Sequence, residues 1–521
     1  MLAPARLAFV LALACAPLAA QVFQGSLTKP VAGEGFHVFD VATDGDWSFA
    51  SQPHSGTALG TVRAYHRGPT GFALAQTIAT SVPLTQSSMF GASIAASDGF
   101  LAVGAPGEFA GRVHVYRLVG GAWVPFQGFS MSFAQGSVFG DHVELVGQRM
   151  LVYYRGVGVG GVPRVQIRAF DGQTWKIEQT IEPPDFDTSV QFGRALSLDG
   201  DRLAIGDRKH PQGGRVHLYR RGAAGWTLEQ TVVGPSNLYT GFGASVAWHG
   251  DRLLVGAPNN LEYYDNGRLF VYEQVGHAWT IAQQLFFVDP QLASYSKIHF
   301  GAPLDVSGDW IAVGQDTFIE KVDEASVHLF RREGNAYVPH AKLLGAAYGG
   351  VSGSSEQFGH VLSFEDGTLA VKSLSPVGPI QAVTFDTSQL DSTLQAWPPV
   401  VSLASGGAQS LVLDAGAAHA GDAYLMLGSV SGTAPGIPIG ALTLPLNPDE
   451  YLTLLLQQAG PISPALGYFG QFGKAQAALS LPPGMSASLA GLVAHHAYVV
   501  LSPTGFDVEL ASTPVAVTLV P

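Results

Sequence analysis

Cysteine is almost absent from this chain of 521 residues; Cys15 is the only one. A lone thiol near the start can close no internal disulfide and offers no thiolate metal cage. Charge is scarce too. Lys, Arg, Asp and Glu make up 13 % of residues, too few for a solvated tail or a long exposed helix. The net charge of −13 leaves no basic footprint for nucleic acid or an anionic lipid surface. No apolar run reaches the length of a membrane-spanning helix, so no transmembrane segment is expected. Against these absences stand 64 glycines and 32 prolines. That composition suits an all-β chain rich in turns, and the length exceeds one ordinary core.

Residues 1–20, MLAPARLAFVLALACAPLAA, have the layout of a secretory signal peptide. Arg6 supplies the charge, Leu7 to Ala14 form the apolar stretch, and Leu18-Ala19-Ala20 is a small-residue cleavage site before Gln21. A secreted or cell-surface location is expected. Ala12-Leu13-Ala14 before Cys15 fits a lipobox poorly. A buried N-terminal strand or helix is the alternative.

One phrase recurs. FGASIAASDGFLAVGAP at 90–106 returns as FGASVAWHGDRLLVGAP at 242–258. Anchored on its leading residue, it stands at Phe36, Phe90, Phe139, Phe192, Phe242, Phe300 and Phe358, at intervals of 49 to 58 residues. Each copy alternates, turns at a Gly that is paired with an Asp in all but the third copy (Gly147-Gln148), and alternates again, as a hairpin does. A second hairpin follows, such as GRVHLYRRGAAGWTLEQTV at 214–232. Four strands at a period near fifty, in seven copies, predict a closed seven-bladed β-propeller; an open solenoid would need polar capping repeats, which neither end supplies. The last copy lacks a fourth strand, and QVFQGSLTKP at 21–30 resembles the missing one. Residues 22–28 are therefore expected to be the outermost strand of the last blade.

These phrases resemble FG-GAP repeats, the blades of the integrin-α-type propeller, in a short bacterial variant with a plain turn in place of the metal loop. The resemblance covers about residues 30–390. It implies the propeller fold and a role in adhesion or ligand binding through loops on one rim. The family's calcium loop does not carry over: Asp44-Gly45-Asp46 and Asp199-Gly200-Asp201 are hairpin tips with two carboxylates at most, and Ca²⁺ needs six to eight oxygens. No metal site or cofactor is expected, with calcium left as the family's option.

Loop acids that follow the second strand of their blades would share one rim. They are Glu108, Asp207, Glu262, Asp265, Asp316, Glu320, Asp323 and Glu324, with Tyr263 and Tyr264 as aromatic anchors. A solvated rim is the plainer reading of the same residues. His114, His217 and His328 recur in register on non-adjacent copies, which points to repeat packing and not zinc. His495-His496 are strand neighbours that face opposite ways and cannot chelate together.

After about residue 390 the phrase stops. Short apolar runs separated by Gly or Pro predict a β-sandwich over 391–521, with a helical turn within 481–491. AGAAHAGDAYLMLGSVSGTAPGIPIG resembles a C-terminal module of secreted planctomycete-type proteins. The expected organisation is thus a signal peptide at 1–20, a propeller at 21–390 and a sandwich at 391–521. The expected function is exported, non-enzymatic adhesion, with an extracellular protein or glycan as partner. A secreted polysaccharide hydrolase or lyase using acidic rim residues, and a structural envelope component, are the alternatives.

Overall fold

The structure, a computed structural model, describes Phe9–Leu13, Phe23–Ser26 and the chain from Val38 onward, apart from 54–59, 69–70, 81–87, 132–137, 157–160, 186–190, 210–212, 236–240, 259–266, 288–297, 318–325, 345–358, 374–380, 388–392, 398–399, 441, 471–472 and 503–506. The described residues form two compact units: Phe385–Pro521 with Phe23 and Gln24 make the second and the others the first, the break at 384/385 falling six residues before the expected boundary.

The first unit is a β-propeller. Its strands lie in sheets of four strands, one per copy of the phrase, with a fifth strand added to sheet 5. Sheet 1 runs Val41–Asp44, Trp47–Gln52, Thr61–Gly68 and Gly71–Ala79; sheets 2 to 6 repeat the order from first strands Ser93–Ser97, His142–Val146, Phe192–Asp199, Ser245–His249 and Ile298–Ser307. Sheet 7 holds Leu362–Glu365, Thr368–Ser373 and Gln381–Asp386, and its outermost strand is Phe23–Ser26. From the sequence, residues 22–28 are expected at that place. The first strands neighbour one another in order, and that of sheet 7 neighbours that of sheet 1. Phe9–Leu13, inside the expected signal peptide, runs parallel to Ala278–Phe287 of sheet 5.

The recurrence of the phrase has a steric cause. A Cβ added to Gly104, in Val103-Gly104-Ala105-Pro106, would lie 2.0 Å from the carbonyl oxygen of Gly140, the glycine of the next Phe-Gly. The same clash would place Gly206 2.1 Å from the Gly243 oxygen, Gly256 1.7 Å from that of Gly301, and Gly314 2.2 Å from that of Gly359. Gly140 and Gly243 adopt φ of 82° and 83°, a conformation that L side chains resist. The two ends of the phrase are therefore halves of a single contact between successive sheets. Beside it, Phe90, Phe139, Phe192, Phe242 and Phe300 are fully buried; burial of each ring contributes about 2–3 kcal/mol.

A second clasp joins the outer strands. The Gln76 side chain donates to the Trp123 carbonyl (2.9 Å) and accepts from the Trp123 N–H (2.8 Å). Gln127 does the same to Trp175, Gln179 to Trp226 and Gln283 to Tyr337. The Gln amide thus replaces a missing ladder partner between sheets.

The second unit has two main sheets around one core. One is ordered Leu394–Trp397, Gly407–Asp414, Lys474–Leu481, Ile462–Ser463; the other Val400–Ser402, Val515–Val520, Val493–Leu501, Ala423–Ser429, Leu466–Tyr468, with Val508–Ala511 paired to Val493–Leu501. Leu411, Leu413 and Leu479 from the first sheet pack with Met426, Tyr498 and Val517 from the second. The expected helical turn is the 3₁₀ segment Ala487–Leu489. A helix, Glu450–Leu456, was not anticipated: Asp449 caps it and Leu452 and Leu455 bury its inner face. Among the described residues no helix is long and apolar enough to cross a membrane.

Candidate functional site

The site is built on the first strands. Each is the edge of its sheet, so its outward N–H groups need acceptors from outside the ladder. Side chains of the preceding sheet supply them. Asp40 Oδ2 accepts from Ile94 N–H (2.9 Å), Ser93 Oγ from Val143 (3.1 Å) and Glu144 Oε1 from Leu198 (3.3 Å). Ser197 Oγ accepts from Trp248 (3.0 Å), Asp305 Oδ2 from Phe364 (2.8 Å) and Ser363 Oγ from Thr43 (3.1 Å). Between sheets 5 and 6 the direction reverses, and Ser245 Oγ donates to the Gly301 carbonyl (2.5 Å). Side-chain hydrogen bonds therefore pass from each sheet to the next, and the last, Ser363 to Thr43, runs from sheet 7 back to sheet 1.

A serine hydroxyl suffices for this task, yet three of the acceptors are carboxylates. Asp40, Glu144 and Asp305 keep some accessible surface, and burial raises their pKa values, Asp40 and Asp305 to about 6 and Glu144 to about 8. All three combine partial access with strong desolvation. Glu144 belongs to sheet 3 and Asp305 to sheet 6, and the charge on Asp305 adds to the rise at Glu144. Nearer the turns, Glu365 is raised to about 8, first by burial and then by the charges of Asp44, Asp366, Asp305 and Asp98. Asp44 is raised as well, again mainly by burial, while its Oδ2 accepts from Gly99 N–H at 2.9 Å. Lys372 offsets part of the charge at Asp40. Half-buried His142, on the first strand of sheet 3, is held neutral by burial, its pKa down to about 4.

The rim residues singled out from the sequence fare differently. Glu108 is not on an open rim: it is fully buried, with Oε2 2.9 Å from His114 Nε2 and Oε1 accepting from Thr80 Oγ1 at 3.1 Å. Asp207 is buried at the end of a strand, paired with Arg215. Asp316 lies within Trp310–Thr317, opposite His299, and not in a loop. These strands run further than the motif implied, because ladder pairing continues past the Gly of the phrase. Glu262, Tyr263, Tyr264, Asp265, Glu320, Asp323 and Glu324 lie outside the described residues. The recurrent histidines pack as repeat elements. His114, His217 and His328 lie against Phe90, Phe192 and Phe300 of their own sheets, with ring centroids 5.3, 5.6 and 5.3 Å apart. His496 is buried, its Nε2 2.9 Å from Tyr451 Oη. Sequence reasoning missed Asp40, Glu144 and Asp305. The available signal was a polar residue amid small and apolar ones in the first run of the phrase, where Glu144 and Asp305 replace Ser197 and Ser363.

No family model matches the chain, and no curated protein matches it. Among solved structures it is similar to the β-propeller domain of the Trilobed protease from Pyrococcus furiosus, with 12% identity, TM-score 0.40, and coverage of 68% of this chain and 96% of that one. It is also similar to puromycin hydrolase (12%, TM-score 0.43, 76% of this chain and 62% of that chain) and to the Pyrococcus horikoshii acylaminoacyl peptidase (9%, TM-score 0.40, 74% and 59%). The chain thus spans about three-fifths of the length of those two enzymes. At these identities the likeness is at most one of fold. The expected non-enzymatic adhesion protein has no counterpart among these neighbours, which are named as a protease propeller, a hydrolase and a peptidase.

Proposed function

We propose that the chain is an exported, seven-bladed propeller of the FG-GAP kind, followed by a β-sandwich, whose Glu144 and Asp305 carboxylates carry out acid–base hydrolysis of an uncharged glycan. The observation that carries this reading is that Glu144 and Asp305, both partly accessible, each accept a backbone N–H from the next sheet, and that the charge of Asp305 reaches Glu144. Their pKa values of about 8 and about 6 leave the first neutral and the second ionised at neutral pH. A general acid and a general base need that split. Glycosidic bonds are cleaved by two such carboxyl groups, one protonating the leaving oxygen and the other activating water. Glu144 takes the first role and Asp305 the second. The surrounding acids disfavour anionic substrates.

The test is release of reducing ends from neutral polysaccharides by the purified protein, followed across pH. Activity should peak between about pH 6 and about pH 8. Glu144→Gln and Asp305→Asn should abolish it without lowering the thermal midpoint, since an amide oxygen still accepts from Leu198 or Phe364. No turnover of any neutral glycan overturns the proposal. A purely structural clasp is the second reading, favoured by the serines in equivalent roles; it predicts that Glu144→Ser leaves every solution property unchanged except stability.

A further inference from the structure

We infer that His419, Asp422 and Glu509 in the second unit form a site for one divalent transition-metal ion of the zinc class. His419 Nδ1 lies 3.0 Å from Asp422 Oδ2 and 3.7 Å from Glu509 Oε2, and all three donor atoms fall within 4.8 Å of one another. Tetrahedral zinc, with bonds of about 2.0–2.2 Å, spaces its ligand atoms about 3.3–3.5 Å apart. The two shortest separations bracket that value, so the donors need little movement to close on an ion.

Charge points the same way. Two carboxylates meet one imidazole, and even protonated His419 offsets only one of them. Lys474 is the only Lys or Arg in 385–521, against eight Asp or Glu. A divalent cation would balance the pair. The backbone holds the donors in place. Asp422 N–H donates to the His419 carbonyl (3.2 Å), the Asp422 carbonyl accepts from Phe469 (2.9 Å), and Glu509 sits on Val508–Ala511, paired to Val493–Leu501. An imidazole with two carboxylates suits zinc or a neighbouring first-row metal; calcium and magnesium take oxygen ligands. Three protein ligands leave a fourth position open to water. The sequence hid this site because Glu509 comes far along the chain from His419.

The test uses the full chain, stripped with a chelator and titrated with Zn²⁺ by calorimetry and with Co²⁺ by visible absorption. One Zn²⁺ per chain is expected, together with the absorption bands of tetrahedral cobalt. His419→Ala and Glu509→Gln should each weaken binding about tenfold or more, and His495→Ala should not. Glu509 is exposed, so its variant keeps the fold and the readout. Absence of saturable binding, or variants that bind as the parent does, would overturn the site. Glycan turnover plays no part in this measurement.

Discussion

Replacing Gly206 by Ala tests the contact between sheets at its sharpest. The φ of Gly206 is one that alanine adopts freely, so the substitution carries no conformational strain of its own. Its Cβ would nevertheless stand 2.1 Å from the Gly243 carbonyl oxygen and 3.0 Å from Ala195 Cβ. The first obstacle is backbone, which cannot rotate aside, so sheets 4 and 5 must part by roughly an ångström. Overpacking in a close-packed interior costs about 1–3 kcal/mol, and a backbone obstacle sets the expectation at the upper end, about 3 kcal/mol. With a urea slope of about 3 kcal/mol/M, the midpoint of the propeller transition should fall by about 1 M. Two controls separate the causes. Gly222→Ala, with nothing within 4 Å and no positive φ, should change the midpoint little. Gly200→Ala, in open space at φ +58°, should cost about 1 kcal/mol from backbone strain alone. If Gly206→Ala behaved like Gly222→Ala, the steric account of the recurring phrase would be wrong.

Other outcomes follow from the same structure. Asp40, Asp305, Glu144 and Glu365 all have raised pKa values, so the folded chain holds these protons more tightly than the unfolded one. Their effect on stability is most favourable on the acid side and declines as pH rises from about 4 to about 8; Glu144→Gln should flatten that decline in thermal melts taken across the range. Gln179→Ala removes both hydrogen bonds to the Trp226 backbone and should cost about 1–3 kcal/mol, read as a lower urea midpoint. Asp449 accepts from Leu452 N–H at Oδ1, and from Ser429 Oγ and the N–H groups of Val430 and Ser431 at Oδ2. Asp449→Ala should destabilise the second unit by about 2 kcal/mol. Because the pKa of Asp449 is lowered to about 2, its contribution is present above about pH 4 and is lost as pH falls toward 2, which calorimetry at low pH would follow.

The repeat phrase carried the fold in its own residues. Alternation gives strands, and primed turns such as Asp98-Gly99 and Asp366-Gly367, all four residues at positive φ, give hairpins. Seven copies give the sheets, and the lone strand at 23–26 could be matched to the gap in the last sheet by likeness alone. These signals are local or periodic, so the linear sequence holds them. What the glycines of the phrase are for was not legible, because Gly104 and Gly140 belong to different repeats and meet only when the sheets pack. Glu108 reads as an exposed loop acid until Thr80 and His114 close over it. Asp40, Glu144 and Asp305 look like scattered polar residues in apolar strands, and Asp422 and Glu509 like two more surface acids. Their desolvation and mutual approach depend on three-dimensional distance, which sequence separation does not encode. The sequence by itself determined the hairpins of the repeated phrase, because alternation and turn residues are local; only the tertiary structure decided which side chains share an environment, and so where chemistry is available.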